Sequence, residues 1–89
     1  MRKVKFDVSA LSHIMYWVHN DSKMVDKIYS LIKDIDRNGA AKGIDKPEKL
    51  KHRRGWSRRI TSEHRLIYDV FVSNGETILF VLSCKGHYE

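Results

Sequence analysis

Three side chains spread along this sequence have the chemistry needed to cut RNA without a metal: the carboxylate of Glu48, the guanidinium of Arg65 and the imidazole of His87. In such a cut a 2′-hydroxyl loses its proton to a base. The phosphorus that it attacks gathers negative charge, which needs cationic donors. The 5′-oxygen leaves with a proton taken from an acid. A carboxylate, an arginine and a histidine can fill these roles. Histidine titrates near pH 6.5, so it can carry and give up a proton at neutral pH, whereas a glutamate carboxylate is a weak base that positioning must help. His87 and Tyr88 follow the last apolar run, where side chains can reach over a sheet. These residue types are sufficient for the chemistry, but the sequence does not itself show that they meet. Taken singly, Glu48 reads as a solvated loop acid beside Lys46 or Lys51, Arg65 as a cross-strand partner of a carboxylate, and His87-Tyr88 as a frayed end.

Positive charge is concentrated around these residues. Between Lys42 and Arg65 lie nine Lys and Arg and three acids, Asp45, Glu48 and Glu63. That local excess of +6 equals the net charge of the whole chain. It is the footprint expected for a polyanion. Five of the nine bases are Arg, and Trp56 and Tyr68 lie in or beside the segment. Arg53, Arg54, Arg58 and Arg59 are therefore expected to face RNA phosphates, as is Lys51. Trp56 can stack on a base or simply pack, and His52 can meet RNA or solvent. A membrane surface fits less well, because the segment has no apolar helical face.

The elements that must hold these groups follow from periodicity. Val4, Phe6 and Val8 alternate with polar neighbours, which predicts a first strand with one buried face. Ser9 can cap a helix whose apolar stripe is Leu11, Ile14, Met15 and Val18. Asp21 or Ser22 caps a second helix with the stripe Val25, Ile28, Ile32 and Ile35, flanked by Met24 and Leu31, and Asn38-Gly39 ends it. The two should form an antiparallel hairpin. Residues 39–55 form a long loop with Gly39, Gly43, Pro47 and Gly55, and long ordered loops tend to be functional. Three strands follow at 56–61, 64–72 and 76–84, the last two joined by the hairpin signal Ser73-Asn74-Gly75. The expectation is an α+β domain: an N-terminal strand and helical hairpin packed on an antiparallel sheet, with one sheet face left for charge and chemistry. Both faces of the 64–72 strand are mixed, so its buried side is open.

Length and composition bound the rest. Eighty-nine residues make one domain, 1–89, with stability of order 5–10 kcal/mol. The longest apolar run, Ile78 to Leu82, is far below the ~20 residues of a membrane span. No apolar stretch follows Met1-Arg2-Lys3, so no secretory signal is expected. The single cysteine, Cys84, excludes an internal disulfide, reads as a small buried hydrophobe, and favours a reducing cytoplasm. His13 and His19 are six apart, unlike a metal-ligand pair on one helix face, and no cofactor is expected. Tyr16, Trp17 and Tyr29 read as core or partner surface, and His64 as a structural residue with a turn hydrogen bond.

Lys46-Pro47-Glu48, Leu50-Lys51-His52, Trp56-Ser57-Arg58-Arg59-Ile60-Thr61, Glu63-His64-Arg65-Leu66-Ile67-Tyr68 and the terminal His87-Tyr88 together resemble the YoeB/Txe family. These are toxins of type II toxin–antitoxin pairs within the RelE/ParE superfamily. Tyr16-Trp17 and Ile32-Lys33-Asp34 fit the same pattern, so the resemblance covers nearly the whole chain. It implies a compact microbial-RNase-like fold and a metal-independent endoribonuclease that cleaves mRNA in the ribosomal A site and so inhibits translation. It also implies a homodimer and a YefM-type antitoxin. By resemblance, Glu48 is the general base, Arg65 stabilises the transition state, His87 is the general acid, and Tyr88 positions substrate. Lys51 and Arg59 match basic positions near the scissile phosphate. The chain departs from the family pattern at Lys49, in the shortened Arg53-Arg54-Gly55 segment, at Gly86 and at Glu89. Two other functions stay open: a non-catalytic RNA-binding module, and a ParE-like toxin that targets gyrase.

Overall fold

A computed structural model describes residues 3–87. Its elements are β1 (Lys3–Phe6), α1 (Val8–Asn20), α2 (Lys23–Asn38), β2 (Glu48–Lys49), β3 (Trp56–Arg59), β4 (Arg65–Ser73) and β5 (Glu76–Ser83). They form one five-stranded sheet in the order β1-β5-β4-β3-β2. The expected meander β3-β4-β5 is its centre. It is extended by β2, antiparallel to β3, and by β1, which joins β5 in parallel, so the sheet is mixed. Parallel pairing of β1 requires a long crossover before the chain returns beside it, and the helical hairpin begins that crossover. Asn74 and Gly75 both take positive φ (51° and 77°), as a two-residue hairpin turn demands.

The helices cover one face of the sheet. On α2 the buried stripe is Met24, Ile28, Leu31 and Ile35, with Val25 and Ile32 partly buried beside it. Ser22 is its N-cap residue and Gly39 its stop, at φ 87°. The strands supply Leu66, Tyr68, Leu79 and Val81 to the same core. Each fully buried large apolar side chain contributes roughly 1.5–3 kcal/mol. Ile67 points the other way from Leu66 and Tyr68 and is also fully buried. Both faces of β4 are thus covered, which is why its pattern shows no clean alternation.

The first 20 residues depart from expectation in two ways. Val8 does not extend the strand but opens α1, and the cap is Asp7, whose carboxylate accepts from the Ser9 amide at 3.1 Å. The chain folds this way because the Asp7 side chain satisfies an end-of-helix amide. On α1 the buried residues are Ala10 and Trp17, with Ile14 packed beside them. The apolar stripe instead faces outward, with Val8 79%, Leu11 53%, Met15 49% and Val18 48% exposed. Trp17 decides the rotation: its large ring fills the core while its Nε1–H donates to the Cys84 carbonyl at 3.0 Å.

Residues 39–47 are irregular but tied down by one side chain. Arg58, on β3, is fully buried, and its guanidinium is surrounded by acceptors. Nε donates to the Tyr68 hydroxyl, Nη1 to Asp34 Oδ2 and the Ile44 carbonyl, and Nη2 to the carbonyls of Gly39 and Lys42. The Tyr68 hydroxyl in turn donates to the Ala40 carbonyl at 2.7 Å. Gly43 lets the loop close on this cluster, because at φ 119° a Cβ there would lie 1.9 Å from Asp34 Oδ2.

Candidate active site

The short pairing of β2 with β3 puts Glu48 opposite Ser57, and Ser57 opposite Ile67 on β4. Ser57 and Arg65 alternate with Arg58 and Leu66, which point to the helices, so both belong to the opposite face. There a cleft of about 200 Å³ is lined by Glu48, Lys49, Leu50, Lys51, Ser57, Arg65 and His87. Three of the four residues expected to be catalytic therefore border one space, despite the shortened 53–55 segment. Tyr88, the fourth, lies outside the described residues, as does Glu89.

Arg65 and His87 are held by the same turn. The Thr61 hydroxyl accepts from the amides of Glu63 and His64 at 3.1 and 3.2 Å, folding residues 61–64 tightly. The carbonyls of that turn point at Arg65, whose Nη1 donates to Thr61 at 2.8 Å and to Ser62 and His64 at 3.2 Å. The Ser62 carbonyl also lies 3.1 Å from His87 Nε2. A carbonyl only accepts, so Nε2 carries a proton there. One oxygen thereby tethers a permanent cation and a protonated ring nitrogen side by side. Gly86, at φ 84°, turns the chain into His87, and its carbonyl accepts from the Arg65 amide at 3.0 Å.

The residues expected to meet RNA separate into three groups. Lys51 lines the cleft, and His52, Arg53, Arg54 and Arg59 are exposed outside its lining. Arg54 pairs with Asp69 at 3.1 Å on the surface. Arg58 is a correction: with its donors engaged in the interior it offers nothing to RNA, and it organises the 39–47 loop instead. Trp56 is the second correction. It shares the core-facing side of β3 with Arg58 and packs against the core, so the packing alternative holds. Ser57 lines the cleft and was missed. Its signal was the alternation Trp56-Ser57-Arg58-Arg59, usable only once the buried side was known.

Neighbouring titratable groups are set by their surroundings. The hydrogen bond from Arg58 is the main force holding the Asp34 carboxyl below its ordinary range. Burial pushes the Cys84 thiol up to about 12, which suits an inert core residue. Burial, then the charge of Lys85, lowers His13. Among the described residues no three His, Cys, Asp or Glu side chains gather as metal ligands. No helix among them is long and apolar enough to cross a membrane.

Residues 6–88 match the family model of the YoeB-like toxin of bacterial type II toxin–antitoxin systems. This chain belongs to the YoeB toxin family. It is 45% identical over 76 residues to "Toxin YoeB" of Escherichia coli strain K12, covering 83% of this chain and 84% of that one. A YoeB dimer from Staphylococcus aureus superposes with a TM-score of 0.85 at 46% identity, over 98% of both chains. A YoeB–YefM complex from the same organism gives 0.82 at 44% identity, over 99% of both. The sheet with two helices on one face is thus the YoeB fold.

Proposed function

We propose that this chain is an endoribonuclease toxin that cleaves mRNA in the ribosomal A site and stops translation. The observation that carries the proposal is the shared cleft: a carboxylate, an arginine and a histidine border one basic groove in a chain of the YoeB family. Glu48 takes the proton of the 2′-hydroxyl, which attacks the adjacent phosphorus. Arg65, with Lys51, stabilises the charge on the non-bridging oxygens. His87 exchanges the Ser62 carbonyl for the departing 5′-oxygen and gives it a proton. Tyr88 orients the substrate. The exposed Arg53, Arg54 and Arg59, with His52, hold RNA backbone through phosphate contacts.

The antitoxin is proposed to be of the YefM type, in keeping with the Staphylococcus complex. The toxin is proposed to pair with itself, in keeping with the Staphylococcus dimer and with the apolar face of α1 that this chain leaves exposed. The compartment is the cytoplasm, where mRNA and ribosomes are.

The product ends test the chemistry. Attack by the internal hydroxyl leaves a 2′,3′-cyclic phosphate or 3′-phosphate on one fragment and a 5′-hydroxyl on the other. The expected result is a downstream fragment that polynucleotide kinase labels without prior phosphatase. A 3′-hydroxyl with a 5′-phosphate would reject this mechanism.

A further inference from the structure

We propose that His64 is a positioning residue for His87, acting through the Gly86 amide; this rests on the assignment of His87 as the acid. His64 Nδ1 lies 2.9 Å from the Gly86 amide nitrogen. A backbone amide only donates, so Nδ1 presents a lone pair and the ring proton sits on Nε2. The Gly86 carbonyl is held from the adjacent residue, by the Arg65 amide at 3.0 Å. Both polar groups of the Gly86 backbone are therefore bound by the His64-Arg65 dipeptide, one residue before His87.

The position needs such a clamp. Gly86 sits at φ 84° with nothing within 4 Å of where a Cβ would be, so sterics do little to fix it. Glycine has the widest choice of backbone conformations, so the direction in which the chain leaves for His87 depends on what holds the Gly86 peptide. The His64 ring is itself oriented by Trp17, edge-on at 77° with ring centroids 4.8 Å apart. Trp17 also donates to the Cys84 carbonyl, and His13 Nδ1 accepts the Cys84 amide at 3.2 Å. A buried tryptophan on α1 thus sets the angle of a histidine at the end of the 61–64 turn, which sets the peptide that aims the acid. Misplacing a catalytic group by about 1 Å can cost on the order of 100-fold in rate.

The test compares His64→Leu, which has no acceptor, with His64→Asn, whose amide oxygen can stand near the place of Nδ1. Single-turnover cleavage on programmed ribosomes should fall about 10- to 100-fold in His64→Leu, with ribosome affinity unchanged, and largely recover in His64→Asn. In a His87→Gln background His64→Leu should cost nothing further, because the group it positions is gone. In that background the ¹⁵N-detected exchange of the Gly86 amide should quicken with His64→Leu and slow again with His64→Asn, while the Tyr68 and Val81 amides stay protected. Parent-like cleavage by His64→Leu, no rescue by Asn, or a further loss on top of His87→Gln would overturn the proposal. Parent-like cleavage by His87→Gln alone would instead overturn the acid assignment; the Gly86 exchange would still report whether the clamp exists.

Discussion

Arg58→Leu separates two roles for the same residue. As an RNA contact its loss would weaken binding and leave the fold intact. As the buried centre of the 39–47 loop its loss strikes the fold. The substitution takes the cationic partner from the Asp34 carboxylate, whose side chain is only 12% exposed and keeps the Asn38 and Ile44 amides as donors, and it removes donors from the carbonyls of Gly39, Lys42 and Ile44. Breaking one side of a buried ion pair costs about 3–5 kcal/mol, because the other charge stays behind. A chain of 89 residues has a total stability of only about 5–10 kcal/mol. The expected outcome is therefore a protein at the edge of folding, with a urea midpoint lower by roughly 2–4 M at an m-value near 1.3 kcal/mol/M. The experiment is urea unfolding followed by tryptophan fluorescence, in a His87→Gln background that permits production of the chain. The double variant Asp34→Leu/Arg58→Leu should recover part of the loss, since no unpaired charge remains. An Arg58→Leu protein with the parent midpoint and reduced ribosome affinity would refute the reasoning.

Three further outcomes follow from named contacts. Because Arg58 lowers the Asp34 carboxyl, the unfolded chain takes up this proton first; stability is complete above the ordinary carboxylate pKa near 4 and falls as pH drops through it. Asp34→Asn should flatten that part of a pH–stability curve, and an unchanged slope would exclude the pair as its source. Leu11→Lys with Met15→Lys should convert a dimer to a monomer in sedimentation velocity while leaving the far-UV spectrum intact, because both side chains are about half exposed; a persisting dimer would assign the interface elsewhere. Arg59→Ala should weaken ribosome binding and reduce the slope of log K against log salt by about 1, as loss of one phosphate contact does; an unchanged slope would remove Arg59 from the interface.

The site was more legible than the packing around it. Taken singly, Glu48, Arg65 and His87 have ordinary structural readings; only the family resemblance marks them as a set, and the roles proposed for them come from it. Their meeting in one cleft depends on Ser57 facing away from the helices, which is a matter of register. Arg58 and Trp56 misled because a basic, aromatic segment looks the same whether it faces phosphate or core; only the acceptor-rich loop at 39–46 reveals that a guanidinium can be buried there. Leu11, Met15 and Val18 misled for a related reason. A helical stripe shows that a face is apolar, and it does not say whether this chain or another copy covers it. His64 was read as structural, and its partner is the Gly86 backbone, 22 residues along the chain. Nothing local to the sequence marks such a contact.

The central claim is acid–base cleavage that needs the ribosome. It is tested most directly by incubating a defined mRNA with the purified chain, with and without programmed ribosomes, and mapping the 5′ ends. The account predicts cuts at the decoding-site codon only when ribosomes are present. In Glu48→Ala and His87→Gln the rates should fall by about 10²- to 10⁴-fold, while both variants still bind. Intact RNA in both arms from folded, antitoxin-free protein, or parent-like cutting by both variants, would contradict it.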